Sequence, residues 1–296
     1  MTQIQKPQTG IATREPETLH FADLKPYLLL QNGNYLYKIP FRGGWAVLKV
    51  YYGSRSWFSS VVKSLENVLL AGQTSYMPKT RLRMEAECMA LWRKHGFRVF
   101  DTYPEVRVEA PGCPEGGYML FEYLEAPKLI NWLNDQSKSA EERFALYRKW
   151  LPEWSRRHDI AIREREPRLV HENGDGKHVM LLEDGSFLWF DFEMTFRSRR
   201  RVAEHISHEI IQYLWFLRKS TPAEIQQRLI EETVRHYPVK ERLLAAHDYF
   251  WRHPNWLHRF GRACDRTFKA KAKKPFSKYS VARMIREALE RQQAGA

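Results

Sequence analysis

The sequence predicts an α+β protein: a small mixed sheet with one main helix up to about Phe121, then a mainly helical remainder. Three observations predict it. Aromatic and β-branched residues alternate with polar ones in short runs before Phe121. Apolar residues at spacings of three and four mark long helices after it. One short hairpin signal interrupts the helical part near Asp184-Gly185. With 296 residues, 43% of them hydrophobic and 14% aromatic, the chain can bury a sizeable core as one domain of two lobes or two small domains, and it does not belong to a disordered class.

Residues Met1 to Thr18, rich in Gln, Thr and Pro, read as a loose leader. From Tyr35 to Tyr51 the pattern predicts two strands around a turn at Arg42-Gly43-Gly44, with Lys49 inside the second strand. Just before them, Gln31-Asn32-Gly33-Asn34 is a turn, since Gly and Asn both tolerate a left-handed backbone. Trp57, Phe58, Val61, Val62, Leu65, Val68 and Leu69 follow helical spacing. That stripe is expected to pack against the protein, because the opposite face carries few basic residues beyond Lys63; the other reading is a helix dipping into a membrane interface.

Arg81 to His95 is a helix stopped by Gly96, with Leu82, Ala86, Met89 and Trp92 as its buried stripe. Glu85 falls within that stripe, and a carboxylate there needs a cationic partner. Arg98 to Val108 and Tyr118 to Tyr123 read as further strands. Ser139 to about Ile162 is a long helix with a kink predicted at Pro152. His205 to Leu217 is a buried helix in which His205, His208 and Glu209 have metal-ligand spacing but no third partner, so core or surface roles are expected. Amphipathic helices and a basic run, Lys269, Lys271, Lys273 and Lys274, complete the chain.

The stretch from Leu169 to Phe196 concentrates the polar chemistry. Val179 to Leu182 and Phe187 to Phe190 are two apolar runs around Glu183-Asp184-Gly185-Ser186, a hairpin. Antiparallel pairing brings the far ends of its strands side by side, so His178 and Asp191 should be neighbours. A nitrogen and a carboxylate converging there could hold a divalent cation. His171, Asn173 and Asp175 precede the first strand and Glu193 follows the second.

A net charge of +13 favours anionic partners such as nucleotide phosphates, an anionic membrane surface or phosphorylated glycolipid. No zinc-finger spacing, RNA-binding aromatic signature or basic zipper accompanies the charge, which argues against nucleic acid. Cys88, Cys113 and Cys264 form no Cys-x-x-Cys pair and read as reduced thiols of a cytosolic protein. Met1 to Glu15 lacks the apolar core of a secretory signal, and no stretch approaches ~18 uninterrupted apolar residues. The expected location is cytoplasmic, soluble or peripheral on the inner face of the cytoplasmic membrane.

In order, the strand lysine, helix glutamate, connecting strand, long helix, His-led loop, hairpin and Asp191-Phe192-Glu193 resemble the protein-kinase-like superfamily. The resemblance spans roughly Gln31 to Leu217. His178, where protein kinases carry a metal-binding Asn, is similar to one branch, the bacterial lipopolysaccharide core kinases that phosphorylate Kdo or heptose. The resemblance implies a two-lobed kinase-like fold with lobes 19–121 and 122–296, the second including a helical C-terminal extension. It implies ATP and Mg2+ as cofactors, with Lys49 on the nucleotide phosphates, Glu85 orienting Lys49, and Gly33 and Asn34 in a phosphate-facing turn. Glu122, Tyr123 and Leu124 would form the hinge, and His178, Asp191 and Glu193 the magnesium site. Arg197, Arg199 and Arg200 would face a substrate already bearing phosphates or carboxylates. The implied reaction is phosphorylation of a sugar hydroxyl on a lipid-linked, anionic acceptor. A small-molecule kinase of the aminoglycoside or choline type and a non-catalytic pseudokinase that docks a partner are the alternatives.

The catalytic loop admits two alignments. Matching His171-Glu172-Asn173 to His-x-Asp reproduces the loop length to His178 but puts Asn173 at the base, and an amide cannot accept a proton as a carboxylate does. Taking Asp175 as the base keeps the carboxylate and shortens the loop, with Gly174 and Gly176 free to re-aim it.

Overall fold

The predicted alternation in the first part becomes an antiparallel sheet. The computed structural model describes residues 17–53, 56–253, 256–268 and 273–295. The expected leader lies outside these residues up to position 16, as do Lys269 and Lys271 of the basic run. The chain divides into two compact units, Met1–Ser54 with Asp101–Tyr123, and Arg55–Phe100 with Leu124–Ala296. The helix carrying Glu85 groups with the helical unit and not with the sheet.

In the first unit, strands β2 (Leu28–Gln31), β3 (Tyr35–Phe41), β4 (Gly44–Val50) and β6 (Tyr118–Glu122) form one sheet in the order β2-β3-β4-β6. β1 (Thr18–His20) pairs separately and in parallel with β5 (Arg107–Glu109). The β3–β4 turn uses two left-handed residues, Arg42 at φ 47° and Gly43 at φ 76°, which matches the twist of a tight hairpin. Ala46, Leu48 and Val50 alternate into a core shared with Ile39, Phe41, Val108 and Leu120. Lys49 lies between them in register, opposite Leu36 and Met119, and so points to the other face, yet it is only 7% exposed. The strand expected from Arg98 to Val108 does not form as such. Only its last two residues join β5, because Pro104 lacks the N–H a ladder needs; Thr102 makes a single bridge to Phe121.

In the second unit, α1 (Trp57–Leu65) is followed by a π-helical turn, Glu66–Ala71, and then by α2 (Pro78–Lys94). The buried stripe of α2 is rotated from the expected one: Ala86 is exposed, whereas Arg81, Glu85, Cys88, Met89 and Trp92 are buried. α3 (Leu129–Asn134) and α4 (Ala140–Glu164) follow. A capping box, Ser139 with Glu142, starts α4, which runs on through Pro152. Its face of Phe144, Tyr147, Leu151, Trp154 and His158 is fully buried as the spacing predicts, and Trp150 stacks on Trp154 with centroids 4.6 Å apart. β7 (Val179–Leu181) and β8 (Phe187–Trp189) make the hairpin, turning at Gly185 with φ 78°. α5 (Val202–Ser220), α6 (Ala223–His236), α7 (Lys240–Trp251), α8 (Trp256–Thr267) and α9 (Lys278–Ala294) complete the unit.

The fold class is the α+β one that the sequence predicts, with the main sheet before Phe121 and helices dominating after it. One packing expectation is overturned. The apolar stripe of α1 faces outward, with Trp57 and Phe58 each 71% exposed, because the serine side of the helix makes the contacts with the protein.

Candidate functional site

The site is built on a buried carboxylate. α5 brings Glu209 and α4 brings Trp154, Arg157 and His158 to one point. Glu209 accepts from Trp154 Nε1 at 2.7 Å, from Nη1 and Nη2 of Arg157 and from the backbone N–H of His171 at 2.7 Å. Burial pushes its carboxyl up, but Arg157 and His158 beside it outweigh that, and it ends well below the ordinary carboxylate range. The negative charge is therefore fully compensated, and it pins the first residue of the polar loop.

His171 passes that order on. Burial, then neighbouring His178, lowers its pKa to about 3, so the ring is neutral. Nε2 stands 3.2 Å from the backbone carbonyl of Asp191, which can only accept, so Nε2 carries the proton; Nδ1 then accepts from the Tyr213 hydroxyl at 2.7 Å. Asp191 needs such support. Its φ of 74° is left-handed, a conformation that costs a non-glycine residue ~1–3 kcal/mol. Phe192 anchors the other side, buried with its ring 4.5 Å from Trp92 and 5.4 Å from His171.

At the open ends of the hairpin, three predicted residues meet. Asp191 Oδ2 accepts from the Asn173 amide at 3.1 Å and lies 3.2 Å from His178 Nε2. His178 Nδ1 lies 3.0 Å from the backbone carbonyl of Asn173 and must donate to it. Burial lowers the pKa of His178, so the ring is neutral and Nε2 is left as an acceptor. Two acceptors therefore lie side by side, a nitrogen and a carboxylate oxygen that one divalent cation could take as ligands. A histidine whose second nitrogen is fixed by a backbone carbonyl is the arrangement metal-binding histidines adopt.

The expected three-residue magnesium set is not assembled. No group of three or more His, Cys, Asp or Glu side chains poised for a metal occurs among the described residues. Glu193 Oε2 instead accepts from Arg81 at 2.8 Å, a partly buried ion pair that ties the Asp191-Phe192-Glu193 segment to α2. His178 and Asp191 alone suit a magnesium ion that takes its remaining oxygens from phosphates and water.

The two candidate bases have different surroundings. Asn173 is exposed beside Asp191. Asp175 is buried; it caps the turn Gly176–His178 by accepting from the Lys177 N–H at 3.1 Å and pairs with the Lys177 ammonium at 3.3 Å. Gly174 and Gly176 do not serve to re-aim it. A Cβ on Gly174 would come within 2.5 Å of the Tyr213 ring, and one on Gly176 within 2.3 Å of Leu217, so both glycines let the loop lie flat on α5.

Lys49, Gly33, Asn34, Glu122 and Tyr123 belong to the first unit. Gly33, at φ 77°, makes the turn between β2 and β3, and Asn34 is buried beside it. Glu122 accepts from the Asp101 N–H at 2.8 Å, and the Lys38 ammonium lies 3.9 Å from the Tyr123 ring centroid. Leu124 and Glu85 belong to the second unit, where Glu85 is buried in α2. Of the predicted basic cluster, Arg197, Arg199 and Arg200 are all exposed, and Arg199 bonds Glu166 at 3.2 Å.

Sequence reasoning missed the support beneath the site. Glu209, considered only for its metal-ligand spacing with His205 and His208, and Arg157 each interrupt a buried helical face, and a charged residue on such a face was the available signal. It also passed over Glu172, whose side chain bonds Gln73 and whose carboxyl is pushed up to about 7 by burial and by Asp191.

No family model matches the chain, and no curated protein does. Among solved structures it is similar to WaaP in complex with acyl carrier protein, with 12% identity, 73% of this chain and 80% of that chain covered, and a TM-score of 0.36. It is also similar to the Rio2 kinase-ADP/Mg2+-phosphoaspartate complex from Chaetomium thermophilum, with 12% identity, 91% of this chain and 70% of that chain covered, and a TM-score of 0.38. Likenesses of this size leave the function to be argued from the chain's own residues.

Proposed function

We propose that the protein is a kinase-like phosphotransferase that binds a magnesium–ATP complex and phosphorylates a sugar hydroxyl, Kdo or heptose, of the lipopolysaccharide inner core. The observation that carries the reading is the facing acceptor pair, His178 Nε2 and Asp191 Oδ2, 3.2 Å apart at the end of a hairpin. Bound between them, magnesium would neutralise charge on the transferred phosphate. His171 holds the Asp191 backbone in its costly conformation, and Asn173 orients the carboxylate. Exposed Arg197, Arg199 and Arg200 and the net charge of +13 support an anionic acceptor.

Phosphoryl transfer depends mostly on positioning and electrostatic stabilisation, so an amide at position 173 does not forbid it. One observation favours a second reading, a nucleotide-binding pseudokinase: Asp175 is occupied as a cap and no carboxylate stands at Asn173. Transfer of labelled phosphate from ATP to whole lipopolysaccharide, compared with soluble sugars, separates the two. The proposal expects label in lipopolysaccharide and none with Asp191→Ala. Undiminished transfer by Asp191→Ala refutes it, and magnesium-dependent nucleotide binding without transfer to any acceptor favours the pseudokinase.

A further inference from the structure

Two helices of the second unit sit on the protein the wrong way round for a water-soluble surface. α1 is held by its polar side. Ser64 Oγ accepts from the Tyr76 N–H at 2.9 Å and lies 3.0 Å from Ser75 Oγ, while Ser60 and Asn67 are buried. Its aromatic and aliphatic side is in solvent, with Trp57 and Phe58 at 71% exposure and Leu69, in the following turn, at 73%. α8 repeats the inversion. Arg262 lies over the rings of Tyr249 and Phe250, and Arg266 over Trp251, so the arginine side faces α7. Trp256 and Phe260 are left 69% and 65% exposed.

An amphipathic helix ordinarily turns its apolar face to the core. Two helices that do the reverse present apolar surface to something outside the chain. Charge decides what that is. Arg259 on α8 and Lys273 and Lys274 later in the sequence are exposed, with Phe276 47% exposed after them. Aromatic rings flanked by basic side chains match the interface of an anionic bilayer, where rings sit at headgroup level and each cation gains from the surface potential.

We propose that α1 and α8, with Lys273, Lys274 and Phe276, form a docking surface for an anionic lipid bilayer. The surface stands whether or not the protein transfers phosphate, and its test reads binding alone. The full chain is sedimented with vesicles of phosphatidylcholine and with vesicles of phosphatidylcholine mixed with phosphatidylglycerol. Binding to the mixed vesicles is expected to be at least ~10-fold tighter. The pairs Trp57→Ser with Phe58→Ser, and Trp256→Ser with Phe260→Ser, should each weaken it ~10-fold or more, and Lys273→Glu with Lys274→Glu should remove most of the preference for the anionic lipid. All these residues are exposed, so circular dichroism should be unchanged. Quenching of the wild-type tryptophan fluorescence by brominated acyl chains provides a reading that needs no variant. No binding to either vesicle, no quenching, or variants that bind as well as wild type would overturn the proposal. So would a wild-type dimer that the same variants convert to monomer, because the occupant would then be a second copy of the chain.

Discussion

Glu209 and Asp191, both in the second unit, each meet a histidine and the polar loop, and the protein treats them in opposite ways. Glu209 is fully buried and saturated with donors from Trp154, Arg157 and the His171 backbone. Asp191 is 27% exposed, sits on a strained backbone and faces the lone pair of a neutral His178. The first arrangement holds a shape; the second sets a carboxylate oxygen and an imidazole nitrogen side by side, where a cation could use both. His171 touches both, through its N–H to Glu209 and its ring to the Asp191 carbonyl.

That contrast can be broken most forcefully at its buried end. Glu209→Leu leaves the Arg157 guanidinium buried without its counter-ion and should cost ~3–5 kcal/mol of stability in urea unfolding. Arg157→Met added to it should restore much of the loss. If Glu209→Leu unfolds like wild type, the carboxylate is not the support described.

Acid should act on the same region. Burial lowers the pKa values of His158 and His205 to about 4 and of His171 and His208 to about 3. Below the unfolded value of 6.5 the unfolded chain binds protons that these folded histidines refuse, so stability falls as pH drops from 6.5 through 4. Each group contributes a slope of up to ~1.4 kcal/mol per pH unit. Glu172, raised from 4.5 to about 7, works in the opposite sense between those values but is one group against four. Urea midpoints that stay level from pH 7 to pH 5 would contradict the neutral histidines.

Gly174→Ala tests the connection between the two carboxylates. Its methyl group would meet the Tyr213 ring that partners His171, and the overpacking should cost ~1–3 kcal/mol while loosening His171. The smallest effect on stability is expected at the functional end. Asp191→Gly removes the bond from Asn173 but relieves a left-handed φ, so unfolding should shift by no more than ~1 kcal/mol in either direction while magnesium-dependent nucleotide binding disappears.

The hairpin and its two polar ends were legible in the sequence because Asp-Gly between apolar runs sets a register, and register sets which residues meet. His178 beside Asp191 follows from that alone. Glu193 did not follow. Two residues after Asp191 it could turn toward the cation or toward α2, and the choice depends on Arg81, a distant residue that no local pattern connects to it. Gly174 and Gly176 were read as loop flexibility, whereas their role is clearance for Tyr213 and Leu217, which only packing reveals. The outward face of α1 was misjudged for a related reason. Periodicity identifies an apolar stripe, but serines that satisfy the backbone of a neighbouring segment decided which side was docked.

The acceptor pair at the end of the hairpin is tested most directly by the magnesium dependence of ATP binding. Isothermal titration of the wild-type chain with ATP should give binding in the presence of magnesium that is abolished by Asp191→Asn and reduced by at least ~10-fold by His178→Leu, with the thermal stability of both variants near wild type. Equal affinity with and without magnesium, or full magnesium-dependent binding by Asp191→Asn, would contradict a cation between His178 and Asp191.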